Sequence, residues 1–488
     1  MDERRKLPPE PSMTRRDVLK GAAVGLAALG AGSAPTAKAG ANRGPGPERE
    51  RVAIIGAGAG GVAAAYFLAG TLDVDVFEAR SKIGGQCDSQ AIDYQGRRIT
   101  VDLGAQFFHP DTHPIYVTLL EELGLYDPEH PAADETLEAP GSLCIFPVGG
   151  GAPIFSSLNP LRTPLRAIEF AIYTQLARQA VLSGMSWETS VDDWIGSLPL
   201  SRSFKNAVLY PWITATIGSS RADALRSSAR SILQTFALAF PADLFKGATT
   251  FNSKIGLEGN LQRMLDRSPS ARVHVGTPTQ ALRLKRAGWF LQTPARREGP
   301  YRFLLLNASP RAGRELLRPL PGFADVTALL DAYEYFDSRL LIHTDAAYVH
   351  RDRFNWGAYN AGVDGLECEG SAWLGALHER LPSGATVDVF KSWATRRRAD
   401  PTQILLERRF EHPLISRSTI AAARALRPLQ GRNGLYFSGQ YTTGMDLQES
   451  AVYSAMKVAE SLAPGSATLA SLKARLAARG RAGISYDL

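Results

Sequence analysis

Apolar and polar positions alternate along this chain in patterns that predict a mixed α/β fold. The apolar run Arg51-Val-Ala-Ile-Ile enters Gly56-x-Gly58-x-x-Gly61, and a second run, Val74 to Phe77, ends at Glu78. This reads as strand, tight turn, helix, strand, acid. From Thr112 to about Thr249 the spacing is mainly helical, over Ile115 to Leu123, Leu165 to Leu182, Val191 to Ile195, Phe204 to Ile217 and Ala222 to Phe240. Strands are expected at Val273 to Val275, Phe303 to Leu306, Arg339 to His343 and before Ser438, with a polar hairpin through Gly288. Helices are expected after Asp400 and after Asp446, where Asp446 and Glu449 read as a capping box. In the tail from Ser466 to Gly480, Leu469, Leu472 and Leu476 recur at helical spacing among basic residues. Docking on the body is the default for such a tail, with another subunit or a membrane surface as alternatives.

Each glycine of the first turn has a physical reason. Gly56 permits the tight turn, Gly58 lets the backbone approach a pyrophosphate, and Gly61 lets the helix pack closely on the sheet. The helix starting at Ala59 then points free N–H groups and a partial positive charge at the phosphates. A carboxylate at Glu78 is placed to take both hydroxyls of an adenosine ribose, which favours FAD or NAD over NADP.

The next residues separate those two. Glu78-Ala79-Arg80-Ser-Lys-Ile-Gly84-Gly85-Gln86 resembles the Glu-x-x-x-x-x-Gly-Gly signature of the flavin amine oxidase superfamily, which includes monoamine and polyamine oxidases, phytoene-type desaturases, renalase and a fatty-acid double-bond isomerase. Asp102-Leu-Gly104-Ala105-Gln106 is similar to the segment that runs near the flavin ring in that superfamily. Gly434 to Gly444 with Asp446 to Ala451 resembles its closing FAD motif. The resemblance implies that Gly439 and Gln440 reach the pyrophosphate, and that Leu447 and Gln448 open a helix aimed at the flavin N1/C2 carbonyl region. It further implies a backbone contact to adenine at Thr279 and a strand end beneath the cofactor at Ala308. A closer resemblance, through His343-Thr344-Asp345, Phe354 to Asn360, Phe410 to Pro413 and Leu429 to Gly431, is to a bacterial branch of predicted NAD/FAD-binding proteins, and it covers roughly residues 51 to 463.

The resemblance implies an α/β fold: a Rossmann-like FAD-binding domain of the GR2, amine-oxidase type with an inserted α+β substrate domain. The expected divisions are FAD-binding segments at 51–111, 250–312 and 410–465, substrate-domain segments at 112–249 and 313–409, and a tail at 466–488. The cofactor is expected to be noncovalent FAD, because none of Cys87, Cys144 and Cys368 falls where monoamine oxidases attach their flavin. These cysteines also make no metal-ligand pattern, so no metal is expected.

Hydride removal from a C–N or C–C bond of a small or amphipathic organic molecule is the implied reaction, with oxygen or another acceptor reoxidising the flavin. Amine oxidases of the superfamily present a lysine to flavin N5 from the strand that here reads Ser338-Arg339-Leu-Leu-Ile; Arg339 in its place argues against simple amine oxidation. Tyr441 corresponds to the region of a ring flanking the substrate. Trp356, Tyr359 and Phe107 are further wall candidates, each also readable as core. His109, His113 and His343 are either structural or proton carriers. Two other readings stay open: a redox-neutral double-bond isomerase acting on an unsaturated lipid, and a non-catalytic FAD-binding chaperone or partner subunit.

The net charge of +7 raises nucleic-acid binding only until it is localised. Residues 1–50 hold nine Lys/Arg against six Asp/Glu and residues 466–488 hold four against one, so the body is nearly neutral and a basic groove is not supported. No stretch approaches 18 apolar residues, so no spanning helix is expected in the mature chain. Thr14-Arg15-Arg16-Asp17-Val18-Leu19-Lys20, the weakly apolar run to Ala34 and Ala37-Lys38-Ala39 resemble a twin-arginine signal cleaved after Ala39, followed by a linker at 40–50. That predicts a periplasmic or extracellular protein exported already folded around its cofactor. A homo-oligomer is possible on sequence grounds.

Overall fold

The central strand β1 (Arg51–Ile55) is flanked by β2 (Asp73–Phe77) on one side and β13 (Phe303–Leu306) on the other. Beyond them lie β9 (Arg272–His274) and β19 (Leu435–Phe437), and every pair in this five-stranded sheet is parallel. A parallel sheet is covered on both faces, which is why β1 reads as an unbroken apolar run: Val52, Ala53 and Ile54 are wholly buried. Three distant stretches of chain therefore build one sheet. This computed structural model describes residues 49–130, 135–243 and 246–488. The twin-arginine segment and most of the linker lie outside the described residues.

One carboxylate is buried in this sheet. Burial pushes Asp75 upward, but hydrogen bonds from Arg272 and His274 outweigh it and hold the carboxyl well below its usual range. Arg51 and the Tyr301 hydroxyl also donate to it, so edge strand β9 is tied to β2 by a buried ionic cluster.

Helix α1 (Ala59–Leu68) is buried along its entire length. The sheet covers one side of it; helices Gly256–Asp266 and Gln448–Leu462 cover the other. A Cβ at Gly61 would collide with the Gly56 carbonyl, so close packing here demands glycine. The tail helix Ala467–Ala478 docks on the body: Leu469, Leu472 and Leu476 are buried, and Ser466 donates to the Phe67 carbonyl at 2.6 Å.

A second, seven-stranded sheet has the order β18, β14, β17, β16, β15, β6, β7. Its strands are β6 (Leu143–Pro147), β7 (Phe155–Ser156), β14 (Glu334–His343), β15 (Tyr359–Asp364), β16 (Glu367–Trp373), β17 (Phe390–Trp393) and β18 (Ile404–Leu414). Smaller sheets pair β3 (Ser89–Tyr94) with β4 (Arg97–Asp102), β5 (Thr136–Pro140) with β8 (Thr249–Ser253), and β10 (Ala281–Lys285) with β11 (Gly288–Gln292) and β12 (Arg297–Tyr301).

Three expectations about local structure need correction. The residues after Asp400 form strand β18, not a helix, because the whole segment pairs antiparallel with β14. The stretch from Thr112 to Thr249 includes β5, β6 and β7 beside its helices α2 (Pro114–Leu123) and α3 (Pro164–Leu182). The helix expected over Ala222 to Phe240 is broken at Ser227–Ser228, where the Ser228 side chain caps a new helix by accepting from the Ser231 amide.

Candidate active site

The Gly-rich turn is held by short backbone bonds. Gly56 has φ +100° and donates to the Phe77 carbonyl at 2.8 Å. Glu78 accepts from the Ala57 and Arg80 amides, each at 2.8 Å, which fixes its carboxylate at the end of β2. Two amides use two of about four lone-pair sites, leaving acceptor capacity for the ribose hydroxyls. Gly84 donates to the Ala57 carbonyl at 2.8 Å, so the second glycine pair closes over the first turn.

Gly58 gives the sharpest sign of a ligand. Its φ of −72° suits any residue, and a Cβ there would meet nothing nearer than Asn307 Nδ2 at 3.6 Å. The protein alone does not require glycine at this place; a group approaching the backbone from the cavity does. Thr279 Oγ1, Asn307 Oδ1 and Gln106 Oε1 are buried at the same cavity without a protein partner. These residues fit an adenine dinucleotide.

The cavity has a volume of about 1470 Å³, above the usual range of roughly 300–1,000 Å³ for a single small-molecule site. All the cofactor-contact residues expected from sequence line it except Gly61 and Gly439. Gly61 serves packing, and Gly439 sits behind the wall, its amide donating to Ser454 Oγ at 2.7 Å.

The residues expected to carry chemistry are placed differently. Arg339 faces away from the cavity on β14, in ion pairs with Asp400 at 2.5 Å and Glu407 at 3.0 Å. Trp356 packs between Trp373 and Phe390 and donates to the His350 carbonyl at 2.5 Å, outside the cavity lining. Tyr441 touches the cavity, but its hydroxyl donates to the Leu306 carbonyl at 2.9 Å and the ring is otherwise core. Tyr359, Phe107, His109 and His113 do line the cavity, whereas His343 does not. His113 is pushed down to about 3 by burial and is therefore neutral.

Lys391 is the residue that sequence reading missed. It lies on β17, opposite Ile342 of β14, and is buried in the cavity wall. Its Nζ donates to the Gly104 carbonyl at 2.5 Å. Burial lowers its pKa from the ordinary lysine value, and the Asp102 carboxylate opposes that shift only in part. The available signal was weak: Lys391 follows Val389-Phe390 and precedes Trp393 by two, in a stretch that also holds Asp388 and Ser392, so the sequence alone does not mark it as buried.

A second polar group comes from β18. The His412 ring stacks on Phe336 at 5.5 Å, its Nδ1 lies 3.5 Å from Asp446 Oδ2, and its buried Nε2 meets no protein partner. Asp446 therefore reaches His412 and does not cap the following helix, whose N-terminus has no side-chain cap. Glu449, the other half of the expected capping box, accepts instead from the Ile115 and Tyr116 amides at the start of α2 and from the Tyr486 hydroxyl. Burial raises the Glu449 carboxyl to about 7 against those donors.

Beyond the dinucleotide end, the cavity runs into an apolar pocket. Phe170 of α3 lies 5.4 Å from Trp212, and Trp212 lies 4.8 Å from Phe236, with Ile232 and Phe240 completing the walls.

Comparison with known proteins agrees with this architecture. A model of the NAD(P)-binding Rossmann-like domain matches residues 54–123. No curated protein matches by sequence. A CLA-producing fatty acid isomerase from P. acnes superimposes with a TM-score of 0.60 at 14% identity, over 85% of this chain and 99% of its own. Cyclohexylamine oxidase from Brevibacterium oxydans IH-35A gives 0.57 at 16% identity, over 85% and 99%. Wild-type putrescine oxidase bound to putrescine gives 0.57 at 15% identity, over 85% and 98%. This chain thus combines a Rossmann-like nucleotide-binding domain with the overall fold shared by these amine oxidases and the isomerase.

Proposed function

We propose that this protein is an FAD-dependent oxidoreductase that removes a hydride from a C–N or C–C bond of a small or amphipathic molecule with a substantial apolar part. One observation carries the reading: a single cavity joins the dinucleotide-binding turn to an aromatic pocket, with Lys391 buried in its wall. Glu78 would hold the ribose of a noncovalently bound FAD, and the Gly58 backbone would lie against its pyrophosphate. Bound FAD would supply the hydride acceptor, and oxygen or another acceptor would reoxidise it. The remaining work belongs to the protein. Phe170, Trp212 and Phe240 orient the substrate and exclude water. Lys391, with its lowered affinity for protons, holds a water or accepts a proton from a substrate N–H at Nζ. This restores amine oxidation as a reading despite the outward placement of Arg339, and the likeness to two amine oxidases supports it.

The apolar pocket favours a second reading, a redox-neutral isomerase acting on an unsaturated lipid. Anaerobic addition of amine, amino-acid and unsaturated fatty-acid pools tests both. Flavin bands that bleach with amines and oxygen uptake that continues in the presence of catalase support the oxidase. Double-bond migration without oxygen uptake supports the isomerase, and a purified protein without flavin would sink both. We further propose export by the twin-arginine route; replacement of Arg15 and Arg16 by lysine should retain the holoprotein in the cytoplasm.

A further inference from the structure

Helix α3 presents three faces. Tyr173, Ala177 and Val181 are buried in the core, while Ala167, Phe170, Ala171 and Thr174 line the cavity. On the third face Leu165, Ile168 and Ile172 are 75%, 58% and 45% exposed. At 3.6 residues per turn this third face points away from both the core face and the cavity face. The turn before the helix adds Leu161 at 90% and Leu158 at 45% exposure. Asn159 Nδ2 donates to the Phe354 carbonyl at 3.4 Å and to Asn355 Oδ1 at 3.2 Å, which brings Phe354, 85% exposed, to the same turn. Single exposed apolar side chains are ordinary, but a contiguous group of this size marks an interaction surface.

Charge and cavity geometry say what covers it. Arg162 and Arg351 are exposed beside these residues, and among the described residues neither pairs with a carboxylate. The nearby acids are engaged: Glu169 accepts from the Ser201 amide and hydroxyl, and Asp352 accepts from the Phe354 amide and Asn355. Those bonds come from neutral donors and leave both carboxylates charged, but Arg162, Arg166 and Arg351 together outnumber Glu169 and Asp352, so the charge around the face is net positive, as an anionic lipid surface requires. Leu158 both lines the cavity and reaches solvent, so the cavity approaches the surface on this face. No helix among the described residues is long and apolar enough to cross a membrane, so contact would be interfacial.

We propose that this face docks on an anionic lipid bilayer. Leu161, Leu165, Ile168 and Phe354 enter the headgroup boundary, Arg162 and Arg351 meet lipid phosphates, and an apolar substrate passes from the acyl layer into the pocket beside Leu158. The docking stands on the surface and on where the cavity meets it, and goes beyond the redox reading.

The test is cosedimentation of the full-length flavoprotein with vesicles of phosphatidylcholine alone or with phosphatidylglycerol added. Binding should favour the anionic vesicles and weaken with salt. L161S/L165S/I168S should lower partitioning about tenfold or more, and R162E/R351E should lower binding to the anionic vesicles selectively; unchanged melting temperature would show that both variants are folded. No vesicle binding by the wild type would overturn the proposal. Undiminished binding by the triple-serine variant would also overturn it, because the contact would then lie elsewhere in the chain. A concentration-dependent dimer that the triple-serine variant makes monomeric would assign the face to a second copy and overturn it as well. Turnover plays no part in these readouts, so they stand or fall separately from the proposed reaction.

Discussion

Lys391 Nζ donates to the Gly104 carbonyl at 2.5 Å, joining β17 of the seven-stranded sheet to the loop that follows β4. These residues are far apart in the chain, and their meeting places an amine of lowered pKa in the cavity wall. K391M should keep bound flavin but slow anaerobic flavin reduction by an amine donor about 10²-fold. A step that needs the neutral amine accelerates as pH rises toward the depressed pKa and then levels. The methionine variant should lose that rising limb. Reduction at the wild-type rate with an unchanged pH profile would remove Lys391 from the chemistry.

Gly58 and Gly61 should fail in different ways. Alanine at Gly58 has room in the protein itself but would stand against the pyrophosphate, so G58A should fold and melt near the wild-type apoprotein while retaining about tenfold less flavin. Alanine at Gly61 would strike the Gly56 carbonyl and destabilise the domain. Flavin absorbance per protein and thermal melts read the two effects. Full flavin content in G58A would argue against a dinucleotide at this turn.

Glu449 links stability to pH. Its folded pKa is raised from 4.5 to about 7 by burial, so the folded state binds the proton more tightly than the unfolded chain. The resulting stabilisation is fully present below 4.5 and is lost as pH rises through about 7. The wild type should therefore lose stability from this group across that window. E449Q should be less stable at low pH, by about 1–3 kcal/mol for a mismatched buried amide, and should show a flatter profile. Thermal melts of the two proteins that run parallel across the window would exclude the linkage.

Arg339 and Tyr441 should matter little to turnover. R339A breaks exposed ion pairs worth about 0–1 kcal/mol, and Y441F removes one hydrogen bond to Leu306, worth about 1 kcal/mol. Both should keep kcat/KM within about twofold of the wild type. A loss of 100-fold in either would return that residue to the site.

The amino-acid sequence by itself determined the nucleotide-binding turn. The glycine spacing, the apolar strands and Glu78 are contiguous, and their meaning rests on local backbone freedom, close approach and the exposed N–H groups of a helix start. It also determined that the segments around Thr279, Ala308 and Gln448 would converge on one cavity, because their order matched a known pattern. Only the tertiary structure decided the rest. Whether Arg339 or Lys391 faces the cavity depends on how β14 and β17 pair, and a strand presents alternate residues to opposite faces. Ile404–Leu414 became a strand because β14 offered it an edge. Glu449 caps α2 and not its own helix because folding brings that N-terminus within 3.1 Å of its carboxylate. The exposed apolar face of α3 has the same origin: the sequence shows apolar residues all around the helix, and packing alone decides which of them are left to solvent.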